Sequence, residues 1–143
     1  MLPEVPRLGQ RFYFLIKEVR EKSEKNLPQI ILTRLDELFL RRLLEREIPE
    51  IKKDIITIRD ILRLPGLASK VIVEKGPEAI KKGLKIDPAG TCIGEGGERA
   101  KSVSRLVCPE LVYIVPWFED KAKLLSKLLL PVRLIRINQQ GDN

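Results

Sequence analysis

Four glycines, Gly90, Gly94, Gly96 and Gly97, fall within eight residues of the stretch DPAGTCIGEGGERAKSV (residues 87–103), and a basic amphipathic run follows at once. Glycine lets a main chain turn sharply or approach another group closely, because no Cβ stands in the way. The chemistry open to such a cluster is anion holding, through backbone N–H groups at the start of a helix that carry partial positive charge. A nucleotide P-loop would need glycines where Glu95 and Ala100 precede Lys101 and Ser102, so that pattern fails. A dinucleotide fingerprint begun at Gly94 meets Arg99 at its sixth position and follows a helix where a strand is required, so it fails too. What is left is a turn of the form GxxG, Gly94-Glu95-Gly96-Gly97, between two short helices. It either lets phosphates touch the main chain or serves only as a C-cap and linker.

Other chemistry is poorly supplied. The chain has no histidine, which removes the commonest general base and the usual partner of a nucleophile. Cys92 and Cys108 form no metal-binding spacing, and Cys92 reads as a small packed side chain. No catalytic residue, metal site or cofactor motif emerges, and the expectation is a protein that is not an enzyme. Net charge is +7, from 27 Lys and Arg against 20 Asp and Glu, which suits a polyanionic partner. One tryptophan, two tyrosines and four phenylalanines are too few for a broad stacking platform, so nucleic-acid contact must lean on backbone and charge. No apolar run approaches the roughly 18 residues of a membrane helix, and the amino terminus has no secretory core, so a cytoplasmic location is expected.

The elements that must position the glycines follow from periodicity. RFYFLIKEVR and QIILT read as a β-hairpin. A helix starts near Thr33, the expected N-cap, with Leu35, Leu38, Phe39 and Leu43 on one face and Pro49 as its stop. DIITIRDILRL and SKVIVEK flank the turn dipeptide Pro65-Gly66 as a second hairpin. Residues 76–86 read as a lysine-rich loop with one helical turn. Asp87 caps a short helix with Pro88 at its first position. After the glycines, Ala100, Val103, Leu106 and Val107 form the inner stripe of another helix, leaving Arg99, Lys101, Ser102 and Arg105 toward water. LVYIV is a buried strand, FEDKAKLLSKLLL an amphipathic helix and PVRLIRI a last strand.

Helix, strand, strand, helix, GxxG, helix, strand is the order of a type II K-homology (KH) domain. TRLDELFLRRLLEREIPEI, LPGLASKVIV, IDPAGTCIGEGGERAKSV and the strand ending in VPW together resemble the first KH domain of the NusA family of bacterial transcription factors. The resemblance implies an α/β fold (α-β-β-α-α-β) over residues 33–117, with a three-stranded mixed sheet packed against helices. Residues 1–32 resemble the closing hairpin of the OB-type RNA-binding domain that precedes it in the family. Residues 118–143 resemble the helix and strand that open a second KH domain. The polymerase-binding domain, most of the barrel and the second GxxG are not in this sequence, which fits either a reduced protein or a stretch of a longer one.

The resemblance further implies single-stranded RNA binding during transcription, in pausing, termination or antitermination, with RNA polymerase as a further partner. It places Gly94, Glu95, Gly96 and Gly97 at the RNA backbone, with Arg99, Lys101, Arg105 and Lys70 around them. Three features depart from the family: Glu95 inside the turn, where a base or amide is usual, a long loop over residues 76–86, and the missing neighbours that supply avidity. Between positions 70 and 105 eight basic side chains stand against five acidic ones, so binding is expected to be weakened by Glu95 and not abolished. The alternative is a KH-fold interaction module with little RNA binding of its own. It would form a homo-oligomer or a polymerase-associated scaffold through the leucine-rich helix that runs from Leu124 to Leu130. Trp117 is expected to pack at an interface.

Overall fold

In the computed structural model, residues 7–22, 27 and 29–131 are described. Strands β1 (Leu15–Arg20) and β2 (Gln29–Thr33) form an antiparallel hairpin with a register shift between Ile16 and Glu18. Thr33 is the last residue of β2 and pairs with Leu15, so it cannot also open the helix as its composition suggests. The N-cap is Asp36, whose carboxylate accepts from the Leu38 N–H at 2.9 Å, and helix α1 runs Glu37–Glu47. This later start changes the inner face. Phe39, Leu40, Leu43 and Leu44 are buried, whereas Leu35 and Leu38 are about 40 % exposed. Pro49 then does two things, ending α1 and supplying the first residue of α2 (Pro49–Lys52).

Strands β3 (Ile56–Leu64) and β4 (Ala68–Lys75) are antiparallel, and β4 pairs in parallel with β5 (Leu111–Pro116), giving the mixed three-stranded order β3-β4-β5. Between β4 and β5 lie α3 (Pro77–Lys81), α4 (Pro88–Ile93), a single 3₁₀ turn at Glu95–Gly97, and α5 (Glu98–Leu106). Side chains alternate across a strand. Val71 and Val73 of β4 therefore enter the main core with α1, Cys92, Val103 and Val107, while Ile72 meets Val115 and Leu124 on the other side. Covered on both faces, the central strand can read as the continuous apolar run VIV. The edge strand β5 is only half buried: Val112 and Val115 are inside, but Leu111 and Tyr113 are about half exposed, against the expectation of a fully buried strand.

Helix α6 (Lys121–Leu128) is capped by Asp120, which accepts from the N–H groups of Ala122 and Lys123. It lays Leu124 on the second face of the sheet and leaves Leu125, Leu129 and Leu130 exposed. Trp117 packs beside this cluster with the Arg59 guanidinium 3.9 Å over its ring, and the same guanidinium holds Glu74 at 3.0 Å. The expected strand at PVRLIRI falls, apart from Pro131, outside the described residues. Among the described residues no helix is long and apolar enough to cross a membrane.

Two buried cations brace the frame. Arg63 and Glu110 are 6 % and 1 % exposed and meet in a two-pronged contact at 2.9 Å, and Glu110 also accepts from Ser69 Oγ and the Gly66 N–H. With its lone pairs filled in this way, a buried carboxylate is tolerable. Arg34 donates to the carbonyls of Tyr13 and Leu106, and the rings of Phe12, Phe14 and Phe39 surround its guanidinium at 4.9 to 5.6 Å. It fastens the segment before β1 to the carboxyl end of α5.

Candidate nucleic-acid interface

Asp87 opens α4 as expected, accepting from the Ala89 N–H, and Gly94 closes it by donating to the Gly90 carbonyl at 2.9 Å. Gly94 has φ 75° and ψ 171°, a region that side chains exclude, and a Cβ there would stand 2.8 Å from Arg99 Cγ. Gly96 (φ 59°) and Gly97 (φ 80°) are left-handed, and around Gly96 a Cβ would meet nothing within 4 Å. The corner between α4 and α5 is thus bare and open, with the Glu95 side chain exposed beside it.

The charged neighbours are differently placed from what the helical wheel of α5 suggests. Arg99 is not turned to water. It is half-buried across Gly94, and its Nη1 donates to the Thr91 carbonyl and to Glu50, each at 3.0 Å. Ser102 is half-buried as well. Lys101 donates to the Gly96 carbonyl at 2.8 Å and reaches Glu98 at 3.4 Å, while Arg105 reaches the other Glu98 oxygen at 3.2 Å. Hydrogen bonds from Arg105 and then Lys101 hold the Glu98 carboxyl below its ordinary pKa. Lys70 lies on the other face of the sheet, where its ammonium donates to the carbonyls of Leu128 and Leu130. Seven of the eight expected site residues are therefore brought together, and Lys70 is not one of them.

A cleft of about 420 Å³ runs from Lys101 between α5 and the edge strand β5, lined among others by Ser104, Arg105, Leu111 and Tyr113. Its floor is mostly carbon. The N–H groups of Leu111 and Trp117 face β4, donating to Leu67 and Val73, and Val112 donates to Ser104 Oγ at 3.0 Å. By the same alternation, Ile114 presents its N–H and carbonyl away from β4. Ser104, Leu111 and Tyr113 escaped sequence reasoning. The one available signal is an exposed apolar residue at every second position of a strand.

Residues 34–117 match the family described as the NusA-like first KH domain. The chain belongs to this family. It is 35 % identical over 136 residues to the transcription termination/antitermination protein NusA of Mycoplasma pneumoniae, covering 95 % of this chain and 24 % of that protein. The NusA of Thermus thermophilus is 36 % identical over 126 residues, covering 88 % and 30 %, and that of Halalkalibacterium halodurans 30 % identical over 138 residues, covering 94 % and 34 %. The chain spans about a quarter to a third of the length of these relatives. Within this NusA-like KH frame the turn has an electrostatic peculiarity. Arg99, Lys101 and Arg105 face Glu50, Glu95 and Glu98, with Asp87 in the same 530 Å³ hollow as Glu50, Glu95 and Arg99. The lysines that made the surrounding sequence net positive sit elsewhere, Lys82 paired with Glu78 and Lys75 donating to the Leu84 carbonyl.

Proposed function

We propose that this chain binds single-stranded RNA as a NusA-like factor in transcription termination or antitermination, without catalysis. The observation that carries the reading is the open corner at Gly94, Glu95, Gly96 and Gly97, which leads directly into the carbon-floored cleft between α5 and β5. A ribose-phosphate chain can pass over the bare main chain at Gly96 while the bases enter the cleft. There the carbon-lined floor offers apolar surface to a base, and the unpaired edge of β5 offers backbone donors and acceptors beside it. Arg105 and Lys101 flank the path, and Arg99 acts by holding Gly94 in place. Lys70 has no part in it. The flanks, residues 1–32 and 118–143, are taken as parts of neighbouring domains, and RNA polymerase and a cytoplasmic location follow as part of the same proposal.

Binding by one such module is weak, in the micromolar range or above, because three carboxylates of the turn oppose phosphate. The deciding experiment is a fluorescence-anisotropy titration of mixed-sequence RNA with the parent, Glu95→Lys and Gly96→Asp. Glu95→Lys is expected to tighten binding about tenfold at low salt, and Gly96→Asp to abolish it without unfolding the protein. Equal affinity for all three would remove the turn from the site.

A second reading has an observation of its own. Leu62, Leu64, Leu125, Leu129 and Leu130 are each more than 40 % exposed around the second face of the sheet and α6, which suits a protein partner or a second copy of the chain. Light scattering separates the two: a stable dimer whose mass and shape ignore added RNA favours the protein-binding reading.

A further inference from the structure

Of the four clustered glycines, two are covered and two are open. At Gly90 an added Cβ would stand 2.5 Å from the Asp87 carboxylate, and at Gly94 it would stand 2.8 Å from Arg99 Cγ, so a charged side chain of the domain itself lies across each. Around Gly96 nothing lies within 4 Å, and Gly97 meets only the Lys101 side chain, at 3.6 Å. Gly96 and Gly97 are therefore the open part of the corner, and Gly94 is the part that is clamped.

The clamp on Gly94 stands on the core. Ile48 and Ile51 are buried beneath α2, and the Glu50 carbonyl accepts from the Ile55 N–H at 2.9 Å, so the backbone that carries Glu50 is firmly seated. The Glu50 carboxylate takes Arg99 Nη1 at 3.0 Å, and the same nitrogen donates at 3.0 Å to the Thr91 carbonyl in the last turn of α4. Three elements, α2, α4 and α5, thus meet at one guanidinium whose stem presses on Gly94. The Arg99 and Glu50 side chains are 39 % and 26 % exposed, and a hydrogen bond between two charged groups is stronger than the one to the Thr91 carbonyl.

Resting on the RNA reading above, we infer that Glu50 is a positioning residue of the RNA site: through Arg99 it holds Gly94 at φ 75° and ψ 171° and so keeps the main chain of Gly96 and Gly97 presented to phosphate. Its charge works against its position. A carboxylate beside the turn repels phosphate, whereas a turn already fixed in its binding shape loses less freedom when a strand arrives. Position is the larger effect. Residues 94–97 include three glycines, which have the most backbone freedom to lose, and salt screens a repulsion between exposed groups.

The test is a set of anisotropy titrations of a mixed-sequence oligoribonucleotide at low salt on the parent, Glu50→Gln and Glu50→Ala. Glu50→Gln keeps an oxygen for Arg99 and loses the charge, so it is expected to bind as tightly as the parent or up to about threefold more tightly. Glu50→Ala loses the oxygen as well and is expected to bind about tenfold more weakly than Glu50→Gln, and more weakly than the parent. Repulsion alone gives the opposite sign for Glu50→Ala. NMR relaxation supplies a second readout: amide order at residues 94–97 should fall in Glu50→Ala and return in Glu50→Gln, while circular dichroism and amide order elsewhere in the domain match the parent. If Glu50→Ala keeps the parent's affinity, or the parent's order at residues 94–97, the inference is overturned and the KH reading stands. If the parent binds no RNA, the KH reading falls and takes the role of Glu50 with it.

Discussion

The ammonium of Lys101 donates to the carbonyl of Gly96 at 2.8 Å, so the lysine nearest the open turn is spent on the turn itself. Glu98 completes the arrangement by holding Lys101 on one carboxylate oxygen and Arg105 on the other. On the proposed RNA reading, an arriving phosphate would meet cations that already have a competitor. Glu98→Gln removes the competitor and keeps the shape. RNA affinity is expected to rise about threefold to tenfold at low salt, with the gain shrinking as salt screens these exposed groups. Anisotropy titrations at two ionic strengths check this, and a variant that binds no better than the parent would show that Lys101 and Arg105 do not meet RNA.

The glycines of the turn should separate folding from binding. Gly94 occupies a backbone region closed to side chains, and a Cβ there would press on Arg99 Cγ, so Gly94→Ala is expected to cost about 1 to 3 kcal/mol of stability. Gly96 is left-handed but unobstructed, and Asp tolerates that region better than most residues, so Gly96→Asp should cost about 1 kcal/mol. Urea titration measures both. RNA binding should fail in Gly96→Asp while its fold persists, and Gly94→Ala should melt earlier than Gly96→Asp.

The order of elements was readable because each boundary carries its own chemistry. Asp87-Pro88 opens α4, Pro65-Gly66 turns β3 into β4, and DIITIRDILRL still reads as a strand although its inward phase moves by one residue at the register shift, from Ile56 and Ile58 to Ile61. Thr33 misled because a residue suited to capping a helix is equally suited to ending a strand, and only pairing with Leu15 decides. The glycine corner was readable as a turn between two helices, because glycines at positions 94, 96 and 97 supply the positive φ that such a turn needs. Its electrostatics were not. Glu50 is forty-nine residues from Arg99, and no local pattern announces their contact. Summing charge over a stretch of sequence assumes that the stretch shares a surface, and Lys70 shows how that fails when adjacent strand residues face opposite ways.

Cys108 and Cys92 provide a reporter that needs no substitution. Cys108 is exposed and lines the cleft between α5 and β5, whereas Cys92 is buried and burial pushes its thiol up to about 12, with Glu50 adding to the shift. At pH 8 the folded protein is expected to take up one equivalent of a thiol reagent quickly, at Cys108, because the thiolate is the reactive form. Saturating RNA should slow that reaction severalfold without exposing Cys92. Mass spectrometry of alkylated peptides assigns the site, and an unchanged rate at Cys108 under saturating RNA would place the strand elsewhere.

Glu110 links the rim of the cleft to the stability of the whole domain. Burial alone would raise its pKa, but hydrogen bonds from Arg63, Ser69 and the Gly66 N–H outweigh burial and hold it below the ordinary carboxylate value. A carboxyl whose folded pKa is depressed stabilises the fold above its unfolded pKa, and that contribution is lost as pH falls through the folded value. Stability is therefore expected to be level near neutral pH with respect to this group and to drop below about pH 4.3, where the unfolded carboxyl takes up its proton first. Glu110→Ala leaves Arg63 buried without its partner and is expected to cost about 3 to 5 kcal/mol. Paired replacement by apolar residues, Arg63→Met with Glu110→Leu, should recover most of that loss and flatten the acid limb. Urea midpoints measured from pH 3 to 7 on the three proteins decide the matter, and an acid limb as steep in the double variant as in the parent would assign it to other carboxylates.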